Sequence, residues 1–77
     1  MCNYREVYRA KAGRGKPDFS VQFDMEEVKP FSVQYAGNGK YFDNLSDALC
    51  YIVKRGWVKP DRINEVLHEI VEKLPKQ

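Results

Sequence analysis

The pentapeptide FSVQF at residues 19–23 returns as FSVQY at residues 31–35. Each copy alternates strictly between apolar and polar residues, the period of a half-buried β-strand. Reversing the chain at Glu27 sets Phe23 against Phe31, Val21 against Val33 and Phe19 against Tyr35. These three apolar pairs share one face, while Ser20 opposite Gln34 and Gln22 opposite Ser32 make an uncharged polar ladder on the other. The repeat therefore predicts two antiparallel strands that meet the same packing demand twice. Two copies offset by twelve residues are too few and too short for a stacked-repeat architecture.

The next segment, AGNGKYF, contains Asn38-Gly39, the strongest short hairpin signal, because a type I′ turn needs two residues that tolerate positive φ. That turn would pair Tyr35 with Phe42 on the apolar face and Ala36 with Tyr41 on the polar face, leaving Tyr41 as an exposed aromatic. Upstream, NYREVYRA reads as a further strand joined by the basic loop KAGRGKPD. Its alternation allows two registers. The preferred one turns Tyr4 and Tyr8 to the core and Arg5 and Arg9 outward, at the cost of an awkward Glu6; the other buries Val7.

After Asp43 the period changes. Leu45, Ala48, Leu49, Ile52 and Val53 form a helical stripe, with Asn44 as its N-cap and Lys54, Arg55 and Gly56 at its end, and Trp57 is placed to fold back on that stripe. A second stripe runs through Ile63, Val66, Leu67, Ile70, Val71 and Leu74, opened by Pro60 or Asp61 and ended by Pro75. The expected fold is α+β: a two-layer arrangement in which a four-stranded antiparallel sheet is followed by a C-terminal helical hairpin packed on one face. A 77-residue chain has room for one small domain over residues 1–77, since such a chain buries only about 60–65% of its unfolded surface.

Charge is unevenly spread. The first sixteen residues carry Arg5, Arg9, Lys11, Arg14 and Lys16 against Glu6 alone, whereas residues 17–47 hold six acids and two lysines. Chemistry-bearing patterns are sparse. Cys50 and His68 occupy matching flanks of the two helical segments, and Cys2 is a third potential ligand, but no CxxC or HxxxH spacing is present and a structural zinc needs four ligands. The acidic DMEEVKP lacks the fixed ligand positions and required glycine of a calcium loop. AGRGK lacks the spacing, and the following helix, of a phosphate-binding loop. No cofactor and no enzymatic activity are expected. No apolar run reaches the ~18–20 residues of a membrane span, and no secretory leader pattern precedes the first strand, so the expected location is cytoplasmic.

What remains is a surface. The leading expectation is a small non-enzymatic protein-interaction module that occludes part of a larger intracellular partner, as a phage-type inhibitor of host machinery does. Its contact residues would be Arg5, Arg9, Arg14, Lys16, Gln22, Gln34 and Tyr41. The alternative is nucleic-acid binding, with the basic N-terminal strand and loop on phosphates and Tyr41 on a base. Self-association through an exposed edge strand is compatible with either.

Overall fold

The computed structural model describes residues 4–74. Four strands, β1 (Tyr4–Lys11), β2 (Asp18–Asp24), β3 (Phe31–Tyr35) and β4 (Asn38–Phe42), form an antiparallel sheet in the order β1-β2-β3-β4. Helix α1 (Leu45–Lys54), a 3-10 turn (Pro60–Arg62) and helix α2 (Ile63–Lys73) follow.

The repeated pentapeptides pair as their alternation requires: Phe19 with Tyr35, Ser20 with Gln34, Val21 with Val33, Gln22 with Ser32 and Phe23 with Phe31. The connecting loop is closed at its base by Asp24 N–H donating to the Pro30 carbonyl (2.8 Å). Within it the Asp24 carboxylate accepts from Glu26 N–H (3.0 Å), the side-chain mimic of a turn that aspartate favours. The Phe23 and Phe31 rings meet across the strands at 5.0 Å.

The β3–β4 hairpin departs from expectation. Its two-residue turn is Ala36-Gly37, with φ of 50° and 84°, and not Asn38-Gly39. Phe42 consequently pairs with Phe31 and Tyr41 with Ser32. A turn at Asn38-Gly39 would have left most of β3 without a partner before the chain enters α1. The observed register pairs all of β3 and sets the Phe42 ring 5.4 Å from Tyr51. These gains outweigh the left-handed backbone imposed on Ala36, which costs about 1–2 kcal/mol. Because the slip is by an even number of residues, Phe42 stays on the apolar side and Tyr41 on the polar side.

In β1 neither simple register holds. A bulge between Glu6 and Tyr8 sets Glu6 opposite Gln22 and Tyr8 opposite Val21, with Val7 as the extra residue. The bulge resolves the conflict in the sequence: Val7 is fully buried, Tyr8 is half-buried against the core, and Glu6 moves to the polar face. Beyond the bulge the alternation inverts, so Arg5 lies opposite Phe23 on the apolar side and not beside Arg9.

Asn44 caps α1 by accepting from Asp47 N–H (2.9 Å). The helix ends in a Schellman arrangement: Gly56, at φ 79°, donates to the Val53 carbonyl, and Trp57 N–H donates to the Ile52 carbonyl. This turn throws Trp57 back, its ring 5.1 Å from Phe19 and 4.7 Å from Tyr35. Helix α2 starts from the 3-10 turn at Pro60 and has no side-chain cap. Pro75 lies outside the described residues. One hydrophobic cluster unites Val7, Phe19, Val21 and Val33 of the strands with Ile52 of α1 and Ile70 of α2. Helix α1 touches β3 and β4, α2 touches β1, and the two helices meet only slightly. No helix among the described residues is long and apolar enough to cross a membrane.

Candidate functional site: the polar face of the sheet

Alternation in four paired strands places two rows of side chains opposite the core residues. Arg9, Ser20, Gln34 and Gly39 form one row; Glu6, Gln22, Ser32 and Tyr41 form the next. Each row crosses the whole sheet. The two serines are only 4% and 6% exposed, although they stand on the polar side, because their short side chains lie between longer neighbours. Tyr41 is 56% exposed on β4, an edge strand.

Gly39 sets the shape of this face. A Cβ at that position would lie 2.5 Å from Gln34 Nε2, so the bare backbone of β4 is the seat on which the Gln34 side chain rests. The glycine that reads as a turn residue in the sequence is a packing residue in the fold. Gln34 is half-buried as a result, and Tyr41 stands beside it one row on.

Gln22, Asp24, Glu27, Ser32, Gln34 and Tyr41 line a trough of about 360 Å³ that runs from the two serine-bearing strands to the acidic β2–β3 loop, with Lys29 on its rim. Asp24 and Glu27 of DMEEVKP thus join the polar face. From the sequence DMEEVKP reads as a solvated acidic turn; the loop brings Asp24 and Glu27 into the trough with Gln22 and Tyr41.

The basic residues are dispersed. Arg9 is on the polar face, where its guanidinium pairs with Glu6 and lies 3.8 Å from Asp18. Arg14 and Lys16 are exposed in the β1–β2 loop, at the opposite end of β2 from Asp24. Arg5 is on the other side of the sheet, donating to the Lys73 carbonyl (3.2 Å), where a cation meets the C-terminal end of α2. Of the seven residues expected to make a partner surface, Arg9, Gln22, Gln34 and Tyr41 share the polar face, Arg14 and Lys16 stand in the β1–β2 loop beyond it, and Arg5 does not belong to it. Glu6, Asp24 and Glu27 are the members that the sequence did not disclose, while Ser32 stands on the polar ladder as expected.

A second hollow, of about 370 Å³, opens between the β1–β2 loop and the start of α2, with Tyr8, Trp57, Lys59 and Arg62 in its lining. Burial raises the pKa of the Tyr8 phenol there; Glu69 and Glu65 add to the effect and Arg62 opposes it. Cys50 and His68 are exposed, and no group of three or more His, Cys, Asp or Glu among the described residues is placed to hold a metal. Cys2 lies outside the described residues.

No family model, no curated protein and no solved structure matches this chain.

Proposed function

We propose that the protein is a non-enzymatic interaction module that docks the polar face of its sheet on the surface of a folded protein partner, in the manner of a small inhibitor or regulator. In this reading α1 and α2 form a layer on the apolar face, the second layer of a two-layer domain, and leave the polar face free for the partner. The observation that carries the reading is the composition of that face: a half-exposed tyrosine in a trough shared with two side-chain amides, a serine and the carboxylates of Asp24 and Glu27. Tyrosine offers a large, stiff contact area with one polar atom, the character of an interface anchor. The amides beside it supply directional hydrogen bonds without the desolvation cost of charges.

Charge placement favours a protein over a nucleic acid. A phosphate-tracking surface needs a stripe of unpaired cations. Here Arg9 is already shared between two carboxylates, Arg5 is on the other side of the sheet, and Asp24 and Glu27 stand on the face itself. The bulged edge at β1 favours a face-on mode over strand addition, since a bulge blunts edge pairing.

Affinity capture from host lysate with the wild type, Tyr41→Ala and the triple charge reversal at Arg9, Arg14 and Lys16 tests the reading. A protein held by the wild type and lost with Tyr41→Ala is the expected result. Binding to mixed-sequence DNA or RNA at physiological salt that is abolished by the charge reversal and indifferent to Tyr41 would replace it with the nucleic-acid reading.

A further inference from the structure

Resting on that reading of the polar face, we propose that the trough beside Tyr41 receives an arginine side chain presented by the protein partner. The trough is lined by acceptors. Asp24 and Glu27 bring two carboxylates to it, Gln22 and Gln34 two side-chain amides, and Tyr41 an aromatic ring. Asp24 already accepts one hydrogen bond from Glu26 N–H, and it can accept more. Against these two carboxylates stands one cation, Lys29, so the site keeps a net negative charge.

Ser32 gives independent support. The residue is only 6% exposed, yet its hydroxyl makes no side-chain hydrogen bond among the described residues, and it lines the trough. Since no buried side-chain polar atom among the described residues lacks a partner, this hydroxyl is open to the trough, where it can bond a donor that comes from outside.

The donor with the matching shape is a guanidinium. It is flat, carries five N–H groups in a fixed fork, binds carboxylates in pairs and stacks on aromatic faces. Two carboxylates, two side-chain amides, a hydroxyl and a tyrosine ring around one hollow answer all three properties together. An ammonium is a compact point charge with three donors, and it would leave part of this acceptor set unused. An anion is repelled by Asp24 and Glu27. The volume, about 360 Å³, is at the lower end of what small-ligand sites enclose.

The test uses the full chain, labelled for two-dimensional NMR and titrated with N-acetyl-arginine amide, N-acetyl-lysine amide and N-acetyl-citrulline amide. The arginine probe is expected to give saturable shifts confined to Ser32, to the side-chain amides of Gln22 and Gln34, and to Tyr41. The lysine probe should bind at least about threefold more weakly, and citrulline, which keeps the shape without the charge, should not saturate. The double substitution Asp24→Asn/Glu27→Gln removes both charges but leaves an amide oxygen at position 24 that can still accept from the Glu26 N–H. In that variant, binding of arginine should fall at least about fivefold while the core signals of Val21 and Val33 stay in place. Equal responses to lysine or citrulline, shifts scattered over the surface, or indifference to the double substitution would overturn the assignment. If the arginine probe fails while Tyr41→Ala still releases a captured partner, the arginine assignment falls and the docking face stands; if Tyr41→Ala releases nothing, the docking face itself falls.

Discussion

The β2–β3 ladder presents two faces made by the same ten residues, and they differ in what they owe to the rest of the chain. On one face Phe19, Val21, Phe31 and Val33 are buried, and their neighbours are rings and aliphatic groups from β1, α1 and Trp57. On the other, Ser20 and Ser32 lie low between longer neighbours, Gln22 and Gln34 are half-buried, and Gln34 rests over Gly39. The first face is fixed by volume, where each methylene counts. The second is fixed only by hydrogen-bonding capacity, which water satisfies equally well, so its composition is free to serve a partner. On the proposed reading, stability and recognition are assigned to opposite sides of one hairpin.

Substitutions on the two faces should separate sharply. Phe19→Ala, which removes a fully buried ring stacked on Trp57, should cost about 3–5 kcal/mol in urea unfolding, enough to unfold much of a small domain. Val33→Ala should cost about 1–3 kcal/mol, whereas its neighbour Gln34→Ala should cost less than about 0.5 kcal/mol. Equal costs for Val33 and Gln34 would erase the distinction between the faces.

The β3–β4 turn sharpens the same contrast. Gly37 is held at φ 84° with open space around it, so Gly37→Ala should lose about 1–2 kcal/mol from backbone strain alone. Gly39→Ala meets only the flexible end of Gln34, which can swing away, so it should cost less than Gly37→Ala while displacing Gln34 on the polar face. A turn at Asn38-Gly39 would reverse that order. The smallest effect concerns Tyr8, whose phenol has its pKa raised by burial above the ordinary 10.0. The folded state then holds that proton more tightly than the unfolded state. Its contribution is fully present below the ordinary value and is lost as pH rises through the raised one. Unfolding measured between pH 9 and 11, about the ordinary tyrosine value, should show a steeper alkaline loss in the wild type than in Tyr8→Phe.

The sequence made the β2–β3 register, the Asn44 cap, the Gly56 terminus and the return of Trp57 legible, because each rests on local chemistry: strict alternation, a capping oxygen, a residue free to adopt positive φ. The β3–β4 turn was misread because Asn38-Gly39 is the better turn in isolation. Ladder length and the burial of Phe42 are tertiary gains that no dipeptide displays. The β1 bulge was hidden for a related reason: a strand that can add a residue need not choose between burying Val7 and burying Tyr8, and nothing local announces the addition. Gln22 and Gln34 are legible because the β2–β3 alternation is strict, and Tyr41 because faces survive an even slip. Asp24 and Glu27 were missed as members of the face because loop orientation is set by the closing bond from Asp24 to Pro30. Arg5 was misplaced by the bulge.

The claim that recognition is confined to the polar face is tested most directly by measuring thermal stability and partner affinity together for Tyr41→Ala. The exposed ring contributes little to the core, so the melting temperature should stay close to that of the wild type while partner binding weakens by more than about 1 kcal/mol, and Arg14→Ala should weaken it less. A Tyr41→Ala variant that melts early, or one that binds the partner as tightly as the wild type while Arg14→Ala does not, would contradict it.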